Sequence, residues 1–254
     1  MYLRTKLPVL VLGDSSFVAR ILLSGDFKRT ISFFSMRDSD KWTAFCHTNR
    51  ETGISIIWCI KTRPVDDEFQ LLTQLINFLS GENIRFSLIY LSSFAVYKPR
   101  QRVSDPKCIG TISDYGRVKA QCENLLREVS DETSSAISVT CLRLASFYDQ
   151  RFPNAGIAPY VAWVTRNFPA ADPAFVFEAY GVDELLKSVG SALSQSRGFG
   201  CYDVAQVISW AEQPCVKRRL SNTIFWKLLI PLGWLVQRVL PVRLRVFLGL
   251  FARR

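Results

Sequence analysis

Apolar runs of strand length alternate with stretches of mixed polarity through the first half of the chain. Leu7 to Leu12 (LPVLVL) is an unbroken apolar run, Gly13-Asp-Ser-Ser16 turns the chain, and Phe17 to Leu23 reads as the start of a buried helix. Further strands are predicted at Thr30 to Met36 (TISFFSM) and Ile54 to Ile60 (ISIIWCI). Glu68 to Leu79 has the leucine and isoleucine spacing of a helix that covers a sheet. Phe86 to Tyr97 (FSLIYLSSFAVY) begins as another buried strand and presents Ser92 and Ser93 at its carboxyl end. Strands lacking polar alternation are covered on both faces, and their alternation with helices predicts a doubly wound, mostly parallel α/β sheet.

A loop through Pro99, Pro106 and Gly110 leads to Ser113-Asp114, both residue types that cap helices. In the segment that follows, Tyr115, Val118, Lys119, Cys122, Leu125, Leu126 and Val129 recur at three- and four-residue steps, which places Tyr115 and Lys119 on the inward stripe of a helix. A lysine facing inward requires a partner or a task. Four residues apart, a phenol and an ammonium become neighbours, and the cation lowers the tyrosine pKa toward the range of proton exchange at neutral pH. The hydroxyl of Ser93 completes a set able to hold the oxygen that gains or loses the proton. Ligands of open α/β sheets lie beyond the carboxyl ends of strands, where both serines fall.

The first turn has chemistry of its own. A strand, a glycine turn and a helix N-terminus form a corner where backbone N–H groups and the helix dipole face an anion. Dinucleotide-binding turns carry three spaced glycines; here Gly13 is followed by Ser16 and Ala19 at the second and third places, so an ordinary β–α turn is the competing reading. The second predicted strand ends at Arg37. An acid there accepts an adenosine ribose 2′-hydroxyl whereas an arginine suits a 2′-phosphate, which leans toward NADP, although Asp38 follows at once.

Composition narrows the picture. At 254 residues with 48% hydrophobic and 21% charged residues, the chain supports one large core and excludes wholesale disorder. The cysteines, Cys46, Cys59, Cys108, Cys122, Cys141, Cys201 and Cys215, form no C-x-x-C pair and several lie in apolar runs, so buried free thiols in a reducing compartment are expected in place of disulfides or a zinc site. His47 is the sole histidine, which disfavours histidine-based triads and metal sites. The apolar stretch after Met1 to Lys6 is too short for a secretory signal.

The formal net charge of +10 is concentrated at the C-terminus. Beyond Glu212 no acid occurs, while Lys217, Arg218, Arg219, Lys227, Arg238, Arg243, Arg245, Arg253 and Arg254 are basic. The longest uncharged run of the tail, Leu228 to Val236, is well short of a membrane span, and Pro231 and Pro241 divide the segment. Residues 221–254 are therefore expected either to lie on an anionic membrane surface or to pack on the domain or on a second subunit. Large apolar residues among the arginines argue against nucleic acid as the partner.

In chain order, Gly13-x-x-Ser16-x-x-Ala19, Leu91-Ser-Ser-Phe-Ala-Val-Tyr97, Tyr115-Gly-Arg-Val-Lys119 and Cys141-Leu-Arg-Leu-Ala-Ser-Phe-Tyr148 resemble the extended short-chain dehydrogenase/reductase superfamily, in its branch of NAD(P)-dependent nucleotide-sugar epimerases, dehydratases and reductases. The resemblance covers about Leu7 to Pro214. It implies a Rossmann-like fold with a small C-terminal substrate subdomain at about 150–214 inside a domain of residues 1–220, an NADP or NAD cofactor and a nucleotide-sugar-like substrate. It implies Tyr115 as general acid/base, Lys119 on the nicotinamide ribose, and Ser93 on the reacting carbonyl or hydroxyl. Gly13, Ser15, Ser16, Phe17 and Arg37 would hold the rest of the cofactor, and Ser92, Ser93, Ser146 and Asn154 the substrate. Ser146 stands where the family commonly has asparagine, Ile60-Lys61 where it has two small residues, and Ser93-Phe94-Ala95 where the 4,6-dehydratases carry Thr-Asp-Glu; without that acid pair, dehydration is disfavoured. Gly181-Val-Asp-Glu-Leu-Leu-Lys187 resembles the start of a late family helix, with Asp183 near its cap. The expected setting is cytoplasmic, peripheral to a membrane if the tail docks there, and a homodimer if it packs on a second copy. The competing function is a non-catalytic Rossmann shell that docks on a membrane or an acidic partner through the tail.

Overall fold

The computed structural model describes residues 7–13, 16–24, 31–60, 67–97, 113–132, 137–159, 161, 176–194 and 198–209. Ser15, Lys61 and the basic tail lie outside the described residues. The chain divides into two compact units, the first holding the described residues of Met1–Arg143 and Leu185–Asp203, the second those of Leu144–Glu184 and Val204–Arg254.

The first unit is built on a six-stranded sheet. Its strands are β1 (Val9–Leu12), β2 (Ile31–Phe34), β3 (Ile54–Trp58), β4 (Phe86–Ser93), β5 (Ile137–Leu144) and β8 (Gly198–Val204), in the order β2-β1-β3-β4-β5-β8. β1 pairs in parallel with both β2 and β3, placing Leu10 beside Ser32 and Ile56, and β3 pairs in parallel with β4, placing Ile57 beside Ile89. Every residue of β1 and β3 is buried, as their unbroken apolar character requires of strands covered on both faces. From β1 the chain moves outward to β2 and then returns to the other side of β1 to lay down β3. That reversal leaves the carboxyl ends of β1 and β3, Gly13 and Cys59-Ile60, at the switch point of the sheet.

The helices are α1 (Phe17–Ser24), α2 (Ser39–Thr48), α3 (Asp67–Gly81) and α4 (Asp114–Glu132). α3 buries Leu72, Leu75, Ile76 and Leu79 at helical spacing, and α4 buries Val118, Cys122 and Leu126, all in one core with the strands. The Ser113 hydroxyl accepts from Gly116 N–H at 3.0 Å and caps α4 as its residue type suggests. The hydrophobic pattern leaves α2 unmarked, because this helix fully buries only Trp42 and Cys46, with Phe45 partly covered against the core. Trp42 sets its ring edge-on to Phe78 of α3 at 5.1 Å between centroids, which anchors α2 with little periodicity to read.

The second unit contains a three-stranded sheet, β6 (Ser146–Phe147), β7 (Val176–Tyr180) and β9 (Gln206–Ser209), ordered β6-β7-β9. β6 and β7 are parallel, β7 and β9 antiparallel. The helix α5 (Val182–Ser194) begins where the sequence places it, with Asp183 in its first turn. Asp149 accepts from Val182 N–H at 3.1 Å and Glu184 from Gly181 N–H at 2.9 Å, while Asp183 pairs with Arg151 at 3.1 Å. A cap supplied from more than thirty residues upstream cannot be read from local sequence. No helix among the described residues is long and apolar enough to cross a membrane.

Candidate active site

At the switch point Gly13 has φ +101°, a left-handed conformation that glycine alone adopts freely. A Cβ placed on it would sit 2.8 Å from the carbonyl carbon of Cys59, 2.9 Å from its oxygen and 2.9 Å from Ile60 N. Close passage of β1 against the end of β3 is therefore one reason for this glycine, apart from any ligand. Gly13 N–H donates to Phe34 C=O at 3.1 Å, and Ser16 N–H to Gly13 C=O at 3.0 Å. The Ser16 hydroxyl accepts from Ala19 N–H at 3.0 Å, so its side chain folds back on α1 as a cap and leaves the corner open. Ala19 is fully buried, and its methyl group fits the helix–strand contact that glycine serves elsewhere. Ser16 also hydrogen-bonds Cys59, whose thiol burial pushes up to about 12, keeping it protonated at neutral pH. The corner thus retains the strand, the positive-φ glycine, the capped helix and Phe17 at its first position, a fit for a dinucleotide diphosphate. Arg37 follows β2, exposed, with no ion pair for its guanidinium among the described residues, whereas Asp38 beside it accepts from Lys41 at 3.4 Å.

The end of β4 separates the two serines. Ser93 accepts from Ala95 N–H at 3.2 Å, capping a 3-10 turn over Phe94–Val96, and keeps its hydroxyl proton for another acceptor. Ser92 points the other way, 2% exposed, and donates to Glu123 Oε1 at 2.5 Å. The sequence assigned both serines to substrate; the structure gives Ser92 to the interior and leaves Ser93 at the site. Alternation of side chains along a strand is the reason.

On α4, which packs against the 3-10 turn, Tyr115 is half-buried and Lys119 is 3% exposed. The Lys119 Nζ lies 5.7 Å from the centroid of the Tyr115 ring and 4.8 Å from that of Tyr90. It donates to Leu91 C=O at 2.9 Å and to Glu68 Oε1 at 2.7 Å. Glu68, from the first turn of α3, is 1% exposed, and the same oxygen also accepts from Tyr90 Oη at 3.1 Å and Trp58 Nε1 at 3.3 Å. Glu68 is the residue the sequence reading missed: it opens a helix, where an acid is unremarkable, and only the packing of α3 beneath β3 and β4 aims it at Lys119. The Tyr115 hydroxyl has no hydrogen-bond partner among the described residues.

One turn beyond Lys119, Glu123 is fully buried and binds Arg143 of β5 through both carboxylate oxygens, at 2.6 Å for Nη2–Oε2. Arg143 Nη1 donates to Tyr97 Oη at 2.9 Å, and Tyr97 donates to Asp203 of β8 at 2.6 Å. Burial and the Asp203 carboxylate push the Tyr97 phenol up to about 12, against the pull of Arg143. This network ties β4, α4, β5 and β8 together behind the site. The second unit holds Ser146, half-buried on β6, and Asn154, exposed in the turn that follows.

No protein-family model and no curated protein matches the sequence. Solved structures do match the fold. The chain superposes on dTDP-glucose 4,6-dehydratase from Bacillus anthracis in complex with NAD with a TM-score of 0.59 and 13% identity, over 80% of this chain and 77% of that one. UDP-glucuronic acid 4-epimerase from Bacillus cereus in complex with NAD gives 0.60 and 14%, over 80% and 78%. RMD from Pseudomonas aeruginosa complexed with NADPH gives 0.56 and 15%, over 81% and 80%. The chain shares its fold with these three structures. Identity at this level speaks for the fold, and the chemistry has to come from the residues. On this fold, Gly13, Ser16, Arg37, Ser93, Tyr115 and Lys119 all lie in the first unit, at or after the carboxyl ends of its strands or on α4.

Proposed function

We propose that the chain is an NAD(P)-dependent oxidoreductase or epimerase acting on a carbonyl or secondary alcohol of a nucleotide-activated sugar. The observation that carries this reading is Tyr115: a half-buried phenol one helical turn from a buried ammonium, its hydroxyl without a hydrogen-bond partner among the described residues. When bound, the nicotinamide supplies or accepts a hydride. Tyr115 Oη exchanges the proton on the substrate oxygen, and the ammonium of Lys119 stabilises the phenolate left behind. The Ser93 O–H donates a hydrogen bond to that same oxygen. Lys119 has used two of its three N–H bonds, on Glu68 and Leu91, and offers the third to a ribose hydroxyl. The corner at Gly13, Ser16 and Phe17 takes the diphosphate, with Ser15 beside it in sequence, and Arg37 takes a 2′-phosphate if the cofactor is NADP. Ser146 and Asn154 are the positions of the second unit assigned to the substrate. The fold neighbours support a nicotinamide cofactor of either kind, since one set is complexed with NAD and another with NADPH.

A second reading, a non-catalytic shell, gains from one observation. Lys119 and Ser93 each have structural work, an ion pair with Glu68 and a turn cap, so their retention does not require catalysis. Tyr115 separates the two readings. NADPH or NADH fluorescence should change on mixing with the protein, and Tyr115→Phe should keep that binding and lose turnover by 100-fold or more, roughly the worth of a general acid/base. Absence of binding at high micromolar cofactor rules for the shell.

A further inference from the structure

Lys119 lies in a place that disfavours charge. The residue is 3% exposed, its ammonium lies among the Tyr90 ring, the Tyr115 ring and Leu91, and among the described residues Glu68 at 2.7 Å is the acid within ion-pair distance. Burial of an amine without a counter-ion favours its neutral form. The other titratable groups facing the pair cannot substitute for the acid. Tyr90, from β4, is held neutral by its own burial and by Glu68. Cys59 of β3 and Cys122 of α4 are thiols pushed up to about 12 and about 11. Glu123, on the same helix as Lys119, is taken up by Arg143. Among the described groups, the charge on Lys119 thus depends on a residue 51 positions upstream, on a different helix.

We propose that Glu68 is a positioning residue that balances the charge of the buried Lys119 ammonium and fixes it where α4 serves a ribose and the Tyr115 phenol. The use of that charge rests on the oxidoreductase reading; the charge itself does not. A single acceptor oxygen shared by Lys119, Tyr90 and Trp58 suits the role, because it fixes the ammonium between two strands and a helix at once. Glutamine in its place would keep shape and hydrogen bonds while removing the charge.

The experiment compares the wild-type chain, Glu68→Gln and Glu68→Gln/Lys119→Met. In the cofactor-free protein, urea denaturation is measured from pH 7 to pH 10. Without the Glu68 carboxylate, burial penalises the ammonium in the folded state and not in the unfolded one, so the stability of Glu68→Gln should rise with pH relative to wild type. Removing the amine in the double variant should abolish the excess slope. In the second arm, NADPH and NADH binding to Glu68→Gln should weaken about tenfold more than to wild type as the pH rises over the same range. Should Glu68→Gln fail to fold, Glu68→Leu/Lys119→Met must restore folding, since it removes both charges. Glu68→Gln with wild-type slopes in both arms, or a double variant that stays unfolded, overturns the proposal. A slope in the stability arm with no nicotinamide bound by any variant, wild type included, upholds the counter-ion and overturns the oxidoreductase reading.

Discussion

Gly13→Ala tests what the first turn is built for. The substitution adds one methyl group at a φ of +101°, within 2.8 to 2.9 Å of three backbone atoms of Cys59 and Ile60. Ordinary carbon contacts need about 3.5 Å or more, so the end of β1 must move by roughly 0.6 Å. The neighbours cannot yield cheaply. They are main-chain atoms, and Cys59 N–H is held by Leu12 C=O at 2.8 Å while Gly13 N–H is held by Phe34 C=O at 3.1 Å. Backbone strain at positive φ costs about 1–2 kcal/mol and overpacking about 1–3 kcal/mol, so the expected loss is about 2–5 kcal/mol. For a chain of this size that corresponds to a fall in Tm of about 5–15 °C, read by thermal or urea denaturation of the cofactor-free protein. If the glycine served only the approach of a diphosphate, the cofactor-free protein would keep its stability and only NAD(P) affinity would drop. A loss below about 1 kcal/mol without cofactor would refute the packing argument.

Further variants test the same geometry. Glu123→Leu strands the Arg143 guanidinium in the interior and should cost about 3–5 kcal/mol by urea denaturation, and adding Arg143→Met should recover most of it; equal losses in the single and double variants would contradict this. Arg151 holds the Asp149 carboxyl down to about 2 from 3.8, with burial opposing it and the amides of Val182 and Arg151 assisting. A depressed folded-state value gives stability that is present above the unfolded value and lost as pH falls through the folded one, so wild type should lose on the order of 1–2 kcal/mol between about pH 4 and pH 2, after allowing for the half-exposed partner, and Asp149→Asn should lose none of it there. Arg37→Ser should weaken NADPH binding about tenfold and leave NADH binding unchanged, measured by cofactor fluorescence.

Much of this was legible in the linear chain. The unbroken runs at Leu10, Ile56 and Leu88 announce strands buried on both faces, and the steps from Tyr115 through Val118 to Cys122 announce a helix whose inner face carries a lysine, because burial on a sheet or a helix imposes a period on the sequence. The α/β class and the mostly parallel sheet are borne out. The helix α2 left no such trace, since it buries too little to impose a period.

The sequence by itself determined that a phenol, an ammonium and two strand-end hydroxyls are available, and that their spacing puts the first two on one helix face. Tertiary structure alone decided what each of them does. It sent Ser92 inward to Glu123 and kept Ser93 outward, it gave Gly13 a packing duty against β3, and it brought Glu68 from α3 to within 2.7 Å of Lys119. Local periodicity records only whether a side chain is covered. Which charge meets which depends on elements distant in sequence that share the crossings of one sheet, and a single chain carries no local mark of that meeting.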